Sequence, residues 1–597
     1  MEPKLRSIFA LLLTLAAALY CQSATPEKLS DDFGAVKGRQ KVKYVGAVLE
    51  YEPYIDWKDG GEEIVRENSR IIAEYAADAK SQGADIIIAP EYGLTGLEMH
   101  ILRPKELFSL MQYVPDPGLS VVPCTTPVDP PNVVAVQDLS CSAKENAMYI
   151  VVDVAEASPC SPDVRNPFNN TLDTSRDCPK SGYIYYNTQV VFDRSGAVIA
   201  RYRKQNLFME PQFQSGLDPV ESAIFTTDFN VTFTLQICFD ICFANPGLKN
   251  IAKYDIYDVA MSTAWVDVLP FFLAPSVQNA WSRSLGVNLL VSGYHNPEKS
   301  KLGSGIYQGP PDAREITYIS DPDSGSRLLV SEVETYESEA RRFDRDTDLR
   351  LLFPEVETYE SEARPFDPDT DSRLLFPEVD MYASEDERFF RVSRKEHGRN
   401  NRSHKPFAAE EYSREQSRNL TVYFDDISMY ANVPLVHEGD APQQAKACHD
   451  DGFCCSLSYY PTGKLNYSLV AYSGMVLEML PYHIYSQVCA VLWCQTDDVN
   501  TCTHVEEGLP ESDTFGAFKL SAPFDTGCVY PSLVHRNFSL AENSLYSFPD
   551  NPQLTSSTEG GILFTLSTGG PVTDLLVTAM FGRWYSRDDG GNHTSAC

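Results

Sequence analysis

Three residues of the kinds that cleave amides stand at the ends of three separate strand-like runs. Glu91 follows ADIIIAP within Ala84 to Gly96, Lys204 follows AVIARYR within Ala197 to Glu210, and Cys238 follows LQI within Leu235 to Phe243, LQICFDICF. An amide resists water because resonance stabilises its carbonyl and its amine leaves poorly. Cleavage therefore needs a nucleophile, a proton carrier and an oxyanion stabiliser acting together. A thiol, a carboxylate and an ammonium supply those parts. In that scheme Cys238 attacks the carbonyl while Glu91 takes its proton and Lys204 holds the oxyanion. Glu91 then protonates the departing amine, and the remaining thioester is cleaved by water that Glu91 activates. Each residue also has a plainer reading. A buried free cysteine often serves as a small apolar core residue, Glu91 would suit a strand-end surface, and the cluster Arg201, Arg203, Lys204 would suit a solvated face. No Ser-His-Asp set, phosphate loop or metal-ligand spacing competes for the chemistry.

The order of the three and the wording around them, PEYGLTG, RYRKQNLF and CFDICF, resemble the carbon-nitrogen hydrolases of the nitrilase superfamily. The likeness narrows to the vanin and biotinidase branch through STAWVDVLPFF (Ser262 to Phe272), QNAWSRSLGVNLLVSGYHNP (Gln278 to Pro297), GSGIY (Gly303 to Tyr307) and FGRWYSRD (Phe581 to Asp588). It spans nearly the whole chain apart from one insertion. The resemblance implies a four-layer α-β-β-α sandwich followed by a mainly β carboxy-terminal domain, with neither cofactor nor metal. It assigns the roles above to Glu91, Lys204 and Cys238, and adds a main-chain N–H at Phe239 beside the oxyanion. Tyr92, Phe239, Trp265 and Val266 would line the substrate pocket. The implied substrates are pantetheine, giving pantothenate and cysteamine, or a biotinyl amide such as biocytin, with pantetheine the first choice. Tyr92 departs from the acidic residue expected after the glutamate in vanins. Glu210 stands where nitrilases often keep a second glutamate, across a loosely aligned Pro211. From another class comes the alternative of a catalytically silent secreted binding or scaffold protein.

A layered α/β scaffold must carry these residues. Lys43 to Tyr51 has a strand's composition, while Ile64, Ile71, Ile72, Tyr75, Ala76 and Ala79 recur at three-to-four spacing and predict a helix from Glu62 to Gln82, ended by Gly83. Ile86 to Ile88 is a short all-apolar run, the mark of a strand buried on both faces. Strands are also predicted over Met148 to Val154, Thr188 to Phe192, Val198 to Tyr202, Thr232 to Ile237 and Val287 to Ser292, with a helix from Pro275 or Ser276 to Leu285. Composition alone reaches α/β, for a catalytic unit over residues 30–330. His295 reads best as a satisfied core histidine.

Beyond it the chain changes in kind. SEVETYESEARRFDRDTDLRLLF (Ser331 to Phe353) is followed by PEVETYESEARPFDPDTDSRLLF (Pro354 to Phe376) and by a decayed third start, PEVDMYASEDERFF, a period of 23 residues. So few copies, dense in Pro, Asp and Glu, would bury little surface. A disordered tandem expansion in an exposed loop is therefore expected rather than a solenoid. With the polar tract Arg391 to Arg418 it makes an insertion and linker over 331–418. Residues 419–597 then read as a β domain, from runs at Thr421 to Phe424, Ser456 to Tyr460, Tyr467 to Ala471, Val488 to Trp493, Gly561 to Leu566 and Leu575 to Phe581.

The remaining composition speaks to compartment. Lys4 and Arg6 precede an apolar run from Ile8 to Leu19 too short to cross a bilayer, and small residues follow at Ser23 and Ala24. Residues 1–23 read as a secretory leader, and the protein as extracellular. The polar ending SRDDGGNHTSAC shows no lipid-anchor tail. Setting aside Cys21 in the leader and Cys238, thirteen of the fifteen cysteines remain, an odd number that leaves at least one unpaired, for which Cys242 is the candidate. Cys124, Cys141, Cys160 and Cys178 lie before the nucleophile. Cys448, Cys454, Cys455, Cys489, Cys494, Cys502, Cys528 and Cys597 lie late, so separate disulfide sets in two domains are expected, with connectivity open. Zinc is the rival for the late set, but no pair of C-x-x-C knuckles supports it. Asn169, Asn230, Asn401, Asn419, Asn466, Asn537 and Asn592 begin glycosylation sequons. A formal charge of -34 argues against nucleic acid as a partner. A small amide remains the expected partner, with no integral membrane span; oligomeric state is left open.

Overall fold

The computed structural model describes residues 40–128, 133–160, 178–309, 316–337, 422–437, 439, 441–461, 463–476, 484–504, 512–549 and 561–588. The leader, most of the repeat, Cys597 and the sequons at Asn169, Asn401, Asn419 and Asn592 lie outside them.

Strand β1 (Lys41–Glu50) leads into helix α1 (Gly61–Ser81), where Ile64, Val65, Ile72, Ala76 and Ala79 form a fully buried stripe at helical spacing. The next elements are β2 (Ile86–Ile88), α2 (Pro104–Leu110), α3 (Val134–Asn146), β3 (Tyr149–Pro159), β4 (Tyr183–Phe192) and β5 (Val198–Arg203). There follow β6 (Ile224–Thr226), β7 (Thr232–Ile237), α4 (Lys249–Tyr254), β8 (Asp258–Thr263), β9 (Val268–Leu269), α5 (Ala274–Leu285) and β10 (Asn288–Gly293). The unit closes with β11 (Gly305–Gln308), β12 (Ile316–Tyr318) and β13 (Arg327–Tyr336).

Two six-stranded mixed sheets result, ordered β13-β1-β2-β3-β4-β5 and β12-β11-β10-β8-β7-β6. Strand alternation decides what each face meets. Tyr44, Val48, Ile86, Ile88, Tyr149 and Val151 pack toward Leu235, Ile237, Val259, Met261, Leu289 and Val291 of the second sheet. Their neighbours Ala47, Leu49, Ile87, Ile150 and Val152 turn the other way, onto α1 and α3. Helix α5 covers β10 and β11 of the second sheet. This is the four-layer α-β-β-α sandwich. Helix α3 has no counterpart among the sequence expectations, because VAVQDLSCSAKEN mixes polar residues into its apolar stripe.

The boundary expected at residue 330 falls inside β13, which pairs antiparallel with β1 over its whole length, so the opening SEVETY of the repeat is sheet, not linker. The repeat in fact duplicates this strand: RLLVSEVETY returns 23 residues later as RLLFPEVETY and again as RLLFPEVDMY. Those two copies lie outside the described residues.

The carboxy-terminal domain joins through strand β14 (Tyr423–Phe424), which runs parallel to β9. It holds two five-stranded antiparallel sheets. One is built on the long pair Asn466–Val476 and Ile484–Cys494 with Leu575–Arg583 beside it; the other has Cys454–Tyr459 and Phe518–Phe524 at its centre. Disulfides join Cys124 to Cys141, Cys160 to Cys178, Cys448 to Cys454, Cys455 to Cys489 and Cys494 to Cys502, and Cys528 is also bridged. Six of the late thiols thus form three bridges within their own domain, and Cys238 and Cys242 are the free cysteines among the described residues. Among those residues no helix is long and apolar enough to cross a membrane.

Candidate active site

Glu91, Lys204 and Cys238 meet between the two sheets. Each leaves the carboxyl end of a strand or the segment just after it: Glu91 beyond β2, Lys204 beyond β5, Cys238 beyond β7. Lys204 Nζ lies 2.8 Å from Glu91 Oε1 and 2.8 Å from Glu210 Oε2, and all three side chains are buried. Burial disfavours the ammonium, but Glu210 and Glu91 outweigh it and hold Lys204 protonated well above the ordinary lysine range. Asn187 on β4 donates to Glu91 Oε1 at 2.8 Å and to Glu210 Oε1 at 2.7 Å. The main-chain N–H of Ala264, just past β8, donates to Glu91 Oε2 at 2.7 Å. Glu91 is thus fixed by an ammonium, an amide and a peptide N–H.

Cys238 adopts φ 47° as the chain turns out of β7. A left-handed residue with a side chain costs on the order of 1 kcal/mol or more, so something must hold it there. Asp240 does so. Its carboxylate accepts from Ile237 N–H at 2.9 Å, Tyr202 OH at 2.9 Å, Asn206 N–H at 3.1 Å and Asn206 Nδ2 at 2.7 Å. Burial pushes Asp240 up to about 6, with Lys204 and these donors pulling the other way. Burial and the Glu91 carboxylate raise the Cys238 thiol far above its ordinary range, against the pull of Lys204 and Thr263, so at rest it is a thiol rather than a thiolate.

The pocket expectations fare unevenly. Tyr92 takes φ 59°, donates its hydroxyl to Glu210 and stacks on Phe213, which makes it part of the acid network. Phe239 turns its ring into the core between Phe208 and Phe243, with centroids 5.0 and 5.1 Å away, so its side chain packs rather than faces a ligand. Trp265 is buried and donates its indole N–H to Phe272 O at 2.7 Å. His295 pairs with buried Glu50 at 2.7 Å. Sequence reasoning missed Asn187, Thr263 and Asp153, the last of which accepts the Tyr92 N–H at 3.0 Å. The signal for Thr263 and the Ala264 N–H was present in STAW, one residue on from Ser262.

Residues 64–266 match the carbon-nitrogen hydrolase family and residues 421–588 match the vanin C-terminal domain. Mouse pantetheinase is 28% identical over 89% of this chain and 86% of its own length. Human pantetheinase is 29% identical over the same shares, and bovine biotinidase 24% over 95% and 96%. The chain belongs to the vanin and biotinidase branch of the carbon-nitrogen hydrolases. Among solved structures, a mutant of the Nesterenkonia AN1 amidase from the nitrilase superfamily shares 16% identity at a TM-score of 0.33, over 50% of this chain and 92% of that one. The motif FGRWYSRD has a part in the site. Its Arg583 donates from Nε and Nη2 to the Cys242 carbonyl at 3.0 and 2.9 Å and pairs with Asp588, so the carboxy-terminal domain grips the end of the nucleophile turn.

Proposed function

We propose that this chain is a secreted amidohydrolase that splits pantetheine into pantothenate and cysteamine. The observation that supports it most directly is the buried Glu91 to Lys204 pair set against a thiol on a strained strand exit. Glu91 takes the Cys238 proton as sulfur attacks the carbonyl, because an unassisted thiol of this basicity would stay protonated. The oxyanion is held by the Lys204 ammonium, aided by the main-chain N–H at Phe239. Lys204 can do this without losing its charge because Glu210 stays beside it. Glu91 then returns the proton to the amine, cysteamine leaves, and Glu91 activates water to hydrolyse the thioester. The catalytic unit spans β1 to β13, and the bridged cysteines in both domains favour an oxidising compartment. Exposed Asn230 and Asn537 are the described sequons best placed for glycans.

Incubating the purified protein with pantetheine should release cysteamine, and a Cys238→Ala variant of unchanged melting temperature should release none. Lysine freed from biocytin but no cysteamine from pantetheine would shift the reading to a biotinidase. No release from either amide, with Cys238 inert to iodoacetamide, would favour the silent scaffold.

A further inference from the structure

The exits of β2 and β7 share one construction. Cys238 takes a left-handed φ of 47° beside the Asp240 carboxylate, and Tyr92, at φ 59°, follows Glu91 directly. Neither is a glycine, so each conformation needs an outside partner to hold it. The Tyr92 carbonyl closes its turn by accepting from Thr95 N–H at 3.2 Å and Gly96 N–H at 2.9 Å, while its own N–H is taken by Asp153 Oδ1 at 3.0 Å. Strand register puts Asp153 there. β2 and β3 run parallel with Ile88 beside Val151, so Asp153 comes level with Pro90, where the ladder has no N–H to continue. Like Val151 and Tyr149, two and four residues before it, Asp153 faces the second sheet.

Asp153 is 3% exposed, and the Tyr92 N–H is its one donor among the described residues; Oδ2 is buried and unpartnered. The charged groups around it are Glu91, Glu210 and Lys204, and the Lys204 ammonium is already shared by the two glutamates. A third anion there would have neither a cation nor a second donor of its own, a costly state for a buried carboxylate. Burial foremost, then Glu91 and Glu210, hold Asp153 well above the ordinary carboxylate range, with the Tyr92 N–H and Lys204 pulling the other way. It is therefore a neutral acid at rest. Oδ1 serves as the acceptor and Oδ2 carries the proton.

We propose that Asp153 is a positioning residue: by pinning the Tyr92 N–H it fixes the turn that aims Glu91 at the thiol. Its task needs an acceptor at Oδ1 and no charge, since a charge would set it against Glu91 for the one ammonium. This rests on amide cleavage with Glu91 as the proton carrier, and not on pantetheine being the amide. The plainer role, filling space between the sheets, would show in stability alone and would be met by any side chain of that size.

Asp153→Asn keeps the size, the acceptor and the neutrality, whereas Asp153→Leu keeps only the size and the neutrality. With pantetheine, Asp153→Asn should keep kcat within about threefold of wild type and Asp153→Leu should lower it about thirtyfold or more, KM moving less than about twofold in both. Iodoacetamide capture of Cys238 in the full-length protein, resolved from Cys242 by peptide mass, reads the proton transfer without a substrate. It should slow about tenfold in Asp153→Leu alone. Melting curves identify folded variants, and Asp153→Ala gives the same comparison if Asp153→Leu does not fold. Equal losses in Asp153→Asn and Asp153→Leu, or unchanged kcat and capture in folded Asp153→Leu, would overturn the proposal. So would a failure of both Asp153→Leu and Asp153→Ala to fold beside an active Asp153→Asn, which would assign Asp153 to stability. If the wild-type protein cleaves neither pantetheine nor biocytin, the amidohydrolase reading falls, and the capture rates still decide the role of Asp153.

Discussion

Glu91 and Glu210 both touch Lys204, yet they are not equivalent. Both accept from Asn187, but Glu91 also takes the Ala264 N–H and acts on the thiol more strongly than Glu210, which is tied to Tyr92 and to the Phe208 N–H at 2.9 Å. Glu91→Gln should therefore lower kcat about a thousandfold or more, since the proton carrier of both half-reactions is lost. Glu210→Gln should cost about ten- to a hundredfold, because Lys204 keeps one carboxylate. Steady-state amide hydrolysis with melting curves on both variants separates these effects from misfolding. The legibility of these residues in the sequence follows the same division. Glu91 and Cys238 each end an apolar run and so stand out as polar groups placed at an edge, while Lys204 follows a strand-like run that already carries Arg201 and Arg203 and is singled out only by its order with the other two. Asn187 sits inside the unremarkable run YNTQVVF, and only the pairing of β4 with β5, where the Lys204 N–H meets the Asn187 carbonyl at 2.8 Å, puts it beside the lysine.

At the level of elements, the buried strands were the easiest to read. Ile86–Ile88 has the bounds that its apolar run implies, because a strand covered on both faces needs apolar side chains; Thr232–Ile237 also keeps its expected bounds, with Thr234 and Gln236 buried among its apolar residues. Strand β13 escaped notice because it is an edge strand. Only Val333 and Thr335 are buried, and the interspersed glutamates look like linker. What fastens it is a buried carboxylate: Asp258 on β8 accepts from Tyr44 on β1, Asn288 on β10 and Thr335 on β13, joining the two sheets. Burial raises Asp258 from 3.8 to about 6, against those three donors. The folded chain therefore holds this proton up to a higher pH than the unfolded chain does. The stability it contributes is complete below pH 3.8 and is lost as pH rises through 6. Urea denaturation should show Asp258→Asn gaining on the wild type between pH 4 and 7 by up to about 3 kcal/mol. A difference that stays flat with pH would contradict this.

The whole molecule couples its domains at the point where chemistry happens. Arg583 reaches across from the last long strand of the carboxy-terminal domain to the Cys242 carbonyl, and Arg283 on α5 answers with bonds to the Asn543 carbonyl at 3.2 Å and its side chain at 3.1 Å. Arg583→Ala leaves buried Cys242 O and Asp588 without that partner and should cost about 3 kcal/mol of stability. It should also lower kcat more than it raises KM, since the nucleophile turn loosens while the substrate walls stay; calorimetry and steady-state kinetics on the same preparation check both.

The duplicated edge strand sets a further constraint on how the chain can assemble. Glu332 O accepts from Gln308, and Glu334 bonds Gln308 and Asn288 through its N–H and carbonyl, so those residues face away from β1, and Ser331, opposite Gly46, faces toward it. In both later copies the position of Ser331 is a proline, Pro354 and Pro377. Proline has no N–H to give, so neither copy can zip onto β1 in full, and the first claimant keeps its seat. Pro354→Ser would remove that veto. Two interchangeable tenants for one berth should then trade places within a chain or between chains, seen as faster amide exchange in β1 and as dimers on size-exclusion chromatography.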